Sequence, residues 1–132
     1  MDLRTLFAED QTQVASVGTS FSAAKKSTLD LDVNYHSTFY GNMQGIYVKL
    51  SAVSSATKLT MRICTDAAGD DILIPDTEAD IALGITTANK GYAAFGVDLD
   101  IFTETETYYV FYKVDAGSVT VDKVVLTYRR EI

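Results

Sequence analysis

The chain has 132 residues, 47% of them hydrophobic and 22% charged, with a formal net charge of −7. That length fits one domain with one core, and the balance excludes wholesale disorder. The acidic excess has the wrong sign for a groove that follows nucleic-acid phosphates. The basic pairs Lys25-Lys26 and Arg129-Arg130 are too short to make a phosphate-binding patch and read as solvated charges.

A single cysteine, Cys64, excludes an internal disulfide and suits folding in a reducing compartment. The start, Met1 to Phe7, lacks the basic segment and long apolar run of a secretory signal. No stretch reaches the length of a membrane-spanning helix. The expectation is a soluble chain, complete from its initiator methionine, with neither a membrane nor a nucleic-acid partner.

Residues 1–27 read as an N-terminal arm that leads into a domain at 28–132. Leu3, Leu6 and Phe7 have helical spacing and are followed by Glu9-Asp10, which predicts a turn or two of helix. Residues 11–27 are small and polar. Leu3, Leu6 and Phe7 are costly to leave wet, so the arm is expected to dock on this domain or on a neighbour rather than fray.

From residue 28 the dominant signal is alternation with period two, the mark of a half-buried strand. Leu29, Leu31, Val33 and Tyr35 share one face of 28–35. Ile46, Val48, Leu50 and Ala52 share one face of 46–53, and Leu59, Met61 and Ile63 one face of 58–64. In 93–101 the apolar row is Ala93, Phe95, Val97, Leu99 and Ile101. In 107–114 it is Tyr108, Val110, Tyr112 and Val114, with Tyr109 and Phe111 opposite. Segments 13–21, 72–74 and 81–86 are less regular strand candidates.

Residues 118–128 change phase: Val119 and Val121 have one parity, Val124, Leu126 and Tyr128 the other. A bulge near Asp122-Lys123 would put both sets on one face; the alternative is a strand covered on both sides. Asp66-Ala67-Ala68-Gly69 and Asp115-Ala116-Gly117 read as hairpin turns, with Gly117 able to take the left-handed conformation. Short strands at regular spacing, with no helical pattern between them, predict an all-β, antiparallel two-sheet sandwich.

Catalysis has little to work with. His36 is the one histidine, so neither a histidine metal cluster nor a catalytic dyad has an evident basis, and no Gly-x-Ser-x-Gly elbow occurs. Cys64 reads as a small residue near a strand end. The expectation is a protein that is not an enzyme and needs no cofactor. One inorganic site is considered: Asp66, Asp70, Asp71 and Asp76, with Glu78 and Asp80 nearby, are oxygen ligands that loops could converge on calcium. The bland alternative is a solvated acidic face.

Aromatic residues mark the candidate surface. Tyr35, Phe39, Tyr40 and Tyr47 gather around 36–45. Tyr47, Tyr109 and Phe111 point away from the apolar rows of their own strands. Outward rings need cover, either a sugar ring, a partner subunit, or the N-terminal arm.

The segment Thr107 to Val114, the Asp-Ala-Gly turn, and the closing strand with Val119, Val121, Asp122, Val124 and Leu126 together resemble the last hairpin of jelly-roll carbohydrate-binding modules and galactose-binding-like domains. The resemblance covers about a third of the chain closely and implies a jelly roll. Those modules commonly stack tryptophan on sugars, and this chain has none. In size, architecture and arm the chain also looks like the small decoration, or cement, proteins of tailed-phage capsids. That resemblance implies a non-enzymatic virion protein forming a homo-oligomer, trimer favoured, against a major capsid protein. Leu3, Leu6, Phe7, Tyr35, Phe39, Tyr40, Tyr47, Tyr109 and Phe111 would supply the contacts. The alternative is an extracellular carbohydrate-binding module, with Tyr35, Tyr40 and Tyr47 stacking on a glycan.

Overall fold

The strands pair as a nested set, outermost with outermost. β1 (Leu3–Asp10) lies against β9 (Ser118–Glu131), β3 (Lys26–Asp30) against β8 (Thr107–Val114), β4 (Phe39–Ser54) against β7 (Gly91–Thr103), and β5 (Lys58–Cys64) against β6 (Ile81–Gly84). Every pair is antiparallel, so the chain behaves as one long double strand. Two further pairings, β4 with β9 and β5 with β8, roll that double strand up. β2 (Val14–Val17) adds to the far end of β9. The computed structural model describes residues 3–31, 39–73, 80–103 and 107–131, with side chains over 5–31, 42–73, 80–95 and 107–129.

The product is two packed antiparallel sheets, β1-β9-β4-β7 with β2 on β9, and β3-β8-β5-β6. This strand order is the jelly roll the closing hairpin pointed to. Among the described residues there is no helix. The expected helical turn at Leu3, Leu6 and Phe7 is instead β1, paired residue by residue from Leu3↔Glu131 to Asp10↔Val124. Alternation explains the difference: Leu6 and Ala8 pack toward the core while Phe7 faces away. Residues assigned to the arm therefore supply two strands of the larger sheet, and β3 starts at Lys26.

The core lies between the sheets. Val48, Leu50, Val124 and Leu126 of one sheet meet Leu59, Met61, Val110 and Tyr112 of the other, all essentially dry. Ser27, the polar residue buried among them, bonds through its Oγ to the Tyr112 hydroxyl at 2.6 Å. Burial pushes the Tyr112 phenol above its ordinary range.

The phase change of the last strand is a pair of bulges. Lys49 pairs with Lys123, but Leu50 pairs with Val121, leaving Asp122 unopposed; then Ala52 pairs with Thr120, leaving Ser51 unopposed. The two extra residues meet: Ser51 Oγ donates to Asp122 Oδ1 at 2.7 Å, and Gln13 Nε2 donates to the same oxygen at 2.9 Å. Those two donors hold the Asp122 carboxyl below its usual range. With the bulge, Val119, Val121, Val124, Leu126 and Tyr128 are all buried. The same device corrects one expectation: Ala52, assigned to the row of Ile46, Val48 and Leu50, is exposed, because Ser51 shifts the phase and Val53 packs on the core instead.

Turn chemistry pins the register. Gly117 has φ +67°, and a Cβ there would sit 1.8 Å from the Ser54 carbonyl oxygen. The Asp115 carboxylate reaches across to the neighbouring turn and accepts from the backbone N–H of Thr57 at 2.9 Å and of Lys58 at 3.0 Å, and from the Thr57 hydroxyl. The Thr57 bonds, with Lys58 behind them, hold its pKa down to about 2.

Candidate interaction surface

The outer face of the larger sheet is built by register. Phe7 pairs with Thr127, Thr127 with Gly45, and Gly45 with Phe95, so these four residues form one row across β1, β9, β4 and β7. The next row on the same face is Glu9, Val125, Tyr47 and Ala93. Strands lie ~4.8 Å apart, so Phe7 and Phe95 stand about 14 Å from each other at opposite ends of their row. Phe7 is 69% exposed, Phe95 86% and Tyr47 37%. Large apolar side chains brought onto one face make it the candidate interaction surface.

Glycines shape the surface at two points. The Phe95 ring leans over Gly45, its Cδ1 3.3 Å from where a Cβ would stand, and Thr127 Oγ1 donates to the Gly45 carbonyl at 3.3 Å. The Tyr47 ring lies on Gly91, where a Cβ would fall 2.1 Å from the phenol oxygen. Lys123 and Glu9 close the β1 side of the face with an exposed ion pair at 3.6 Å.

The expected aromatic face is thus only partly assembled. Tyr47 lies in the sheet of β4, whereas Tyr109 and Phe111 lie in β8 of the other sheet, so the three do not share a face. Phe111 does point away from the main core, yet it is only 2% exposed. The 66–69 turn covers it: Gly69, at φ +82°, brings its Cα so close that a Cβ would stand 3.1 Å from the ring, and the Lys26 ammonium sits 5.9 Å from its centre. Tyr109 is half-buried beside it. Tyr35, Phe39 and Tyr40 carry no described side chains, and neither does Leu3, although Leu3, Phe39 and Tyr40 lie in strands β1 and β4. Leu6 packs on the core rather than outward.

Phe95 is the residue that pattern reading missed. Its row in 93–101 was expected to be inward, but Tyr92 and Ala94 pack on the core and Ala93 and Phe95 face solvent. The β4–β7 register shifts between Met43 and Gly45, so no single phase holds along the strand.

The outer face of the smaller sheet carries a shallow groove of about 210 Å³ between 21–23 and 68–70, with Arg62 and Phe111 below. Arg62 is held on two sides. Its Nε and Nη2 donate to the Asp80 carboxylate at 2.7 Å each, and its guanidinium lies 4.3 Å from the Phe21 ring centre. The Asp80 bonds raise its pKa further. Lys113 approaches the same ring at 4.9 Å.

Three of the acids considered for calcium, Asp66, Asp71 and Asp80, hold local bonds of their own. Asp66 caps its own turn, accepting from the backbone N–H of Asp71 at 2.8 Å and of Asp70 at 3.2 Å, and the Asp71 bond chiefly holds its carboxyl below the usual range. Asp71 Oδ2 accepts from the Thr65 hydroxyl at 2.7 Å. Among the described residues no group of three or more acidic, histidine or cysteine side chains is placed to hold a metal ion. Asp76 and Glu78 lie outside those residues, as does His36. Cys64 is buried at the end of β5, and burial pushes its thiol up to about 11, which leaves it protonated and unreactive at neutral pH. No helix among the described residues is long and apolar enough to cross a membrane.

No protein-family model matches the chain, and comparison with curated proteins finds no match. Solved structures do resemble it. Latent PorU from Porphyromonas gingivalis matches over 98% of this chain at 11% identity and TM-score 0.43, but the match spans only 13% of the PorU chain. The BFDV capsid protein matches over 99% of this chain and 100% of its own, at 9% identity and TM-score 0.39. The C-terminal family 6 carbohydrate-binding module of LamC from Zobellia galactanivorans matches over 94% and 99%, at 9% identity and TM-score 0.43. Viral capsid proteins and carbohydrate-binding modules thus both appear among the structural neighbours. At identities of 9–11% these likenesses say nothing about ligand or activity.

Proposed function

We propose that this chain is a non-enzymatic structural protein of a virion, a capsid decoration protein that assembles as a homo-oligomer through the outer face of its β1-β9-β4-β7 sheet. The observation that carries the reading is the apolar row ended by Phe7 and Phe95, with Tyr47 beside it. Burying a large exposed side chain contributes about 1.5–3 kcal/mol, so Phe7 and Phe95, with a smaller share from the part-exposed Tyr47, make a docking surface without any reacting group. The net charge of −7 argues against a nucleic-acid task.

The same rings are the reason to keep glycan binding as the second reading, since an exposed tyrosine or phenylalanine can stack on a sugar. Stacking sites, however, pair a ring with hydrogen-bonding groups for the hydroxyls. The residues paired with Phe95 and Tyr47 or beside those pairs are Ala93, Val125, Gly45 and Thr127, the Thr127 hydroxyl already bonds the Gly45 carbonyl, and the charged Glu9, Lys123 and Lys49 stand further off. The apolar immediate surround favours a protein surface. The test is binding of the purified chain to source particles stripped of it, beside a glycan array. Saturable binding to particles, lost in Phe95→Asp, is expected. Glycan binding with no particle binding would overturn the reading.

A further inference from the structure

We infer that this outer face is the contact between two copies of the chain, related by a two-fold axis that lies in the contact plane and runs along the strands. The inference rests on the assembly reading and adds the partner and its orientation. Rotation about such an axis, passing between β9 and β4, keeps each residue at its height along the strands but reverses the strand order of the second copy. In the sequence β1-β9-β4-β7 the row reads Phe7, Thr127, Gly45, Phe95. The reversed row sets Phe95 of the second copy over Phe7, Phe7 over Phe95, and Thr127 over Gly45. The neighbouring row then sets Val125 of the second copy over Tyr47 and Tyr47 over Val125.

The match is one of shape as well as kind. Phe95 leans inward over Gly45, filling the low centre of its row and leaving its outer flank open to the incoming Phe7. The other in-plane axis, running along the row, is poorer. It would set Tyr47 near Asn42 and Val125 near Arg129, apolar against polar. The axis along the strands sets ring against ring and Val125 against Tyr47, with Ala93 of the second copy over Glu9 and Lys49 of the second copy over Lys123 at the margin, where the like charges weaken the contact.

The size of the face sets the strength. Four strands at ~4.8 Å and six residues at ~3.4 Å give a footprint of roughly 400 Å² per copy. A standard specific interface buries about 800 Å² per partner, so this contact is a weak one that dissociates on dilution. Each copy carries −7, so added salt should tighten the dimer by screening its self-repulsion.

The experiment is sedimentation over a concentration series, joined to cross-linking of mixed variants. The wild-type chain is expected to shift reversibly from monomer to dimer, and more readily at higher salt. Phe95→Asp and Phe7→Asp should each weaken the dimer at least about 100-fold. An unchanged melting temperature shows that each variant is folded, as the exposure of both side chains leads one to expect. Chains carrying Phe7→Cys should be joined to chains carrying Phe95→Cys by a bismaleimide that spans ~10 Å, the spacing of facing sheets, and neither should cross-link with itself; the buried Cys64 of the wild type gives the blank. Self-cross-linked Phe7→Cys chains would overturn the axis, and a dimer indifferent to Phe95→Asp would overturn the surface. A wild-type chain that stays monomeric yet binds particles through Phe95 would remove the two-fold contact and leave the assembly reading standing. Glycan binding lost in Phe95→Asp would remove both.

Discussion

Removing the Tyr112 and Ser27 hydroxyls together should destabilise the protein much less than the sum of removing each alone. Tyr112 and Ser27 share a 2.6 Å hydrogen bond in a site closed to water, and that bond ties β3 to β8 at one edge of the smaller sheet. In Tyr112→Phe the Ser27 hydroxyl loses its partner while still buried, which costs about 1–3 kcal/mol. Ser27→Ala strands the tyrosine hydroxyl in the same way. The double variant leaves neither group unpaired, so its loss should be well under the sum of the two. A double-mutant cycle by urea unfolding reads the coupling directly, with about 1 kcal/mol or more expected. For a domain of this length each kcal/mol moves the melting temperature by roughly 3–5 °C. Additive single effects would refute the claim that the two hydroxyls satisfy one another.

Further outcomes follow from the turns, the acids and the thiol. Gly117→Ala should cost on the order of 3 kcal/mol or prevent folding, because the residue needs φ +67° and the new methyl would collide with the Ser54 carbonyl; thermal melting checks it. Asp115 has a folded pKa of about 2, below its unfolded value, so its stabilisation is present above about pH 5 and lost as the pH falls toward 2. Melting temperature should therefore fall on acidification through that window, with Asp66 and Asp122 adding to the slope, and Asp115→Asn should flatten it. Cys64 should resist alkylation at pH 8 in the native protein and react once urea unfolds it.

The fold was legible where the chain had to alternate against one dry surface. Tyr108, Val110, Tyr112 and Val114, and Leu59, Met61 and Ile63, bury as their spacing predicts. The phase break at Asp122 was also readable, because five apolar residues on both parities can share a face only through an extra residue. Its partner, the Ser51 bulge, left no such mark: Ala52 is small enough to suit either side. β1 was obscured by Leu3, Leu6 and Phe7, whose spacing fits a helix as well as a strand with one ring turned outward. The surface was harder still. The assumption that a large ring faces the core fails at Phe95, and the assumption that outward rings share a face fails for Tyr47 and Phe111, which alternation alone cannot assign to a sheet. Long-range pairing decides both, and no local pattern contains it.

Hydroxyl-radical footprinting of the assembled protein tests the central claim most directly. If the outer face of the larger sheet is the assembly surface, Phe7, Tyr47 and Phe95 should lose labelling in the assembly relative to the dilute chain, while Phe21 in the loop before β3 and Tyr109 of the opposite sheet keep theirs. Undiminished labelling of Phe95 in the assembled state would contradict it.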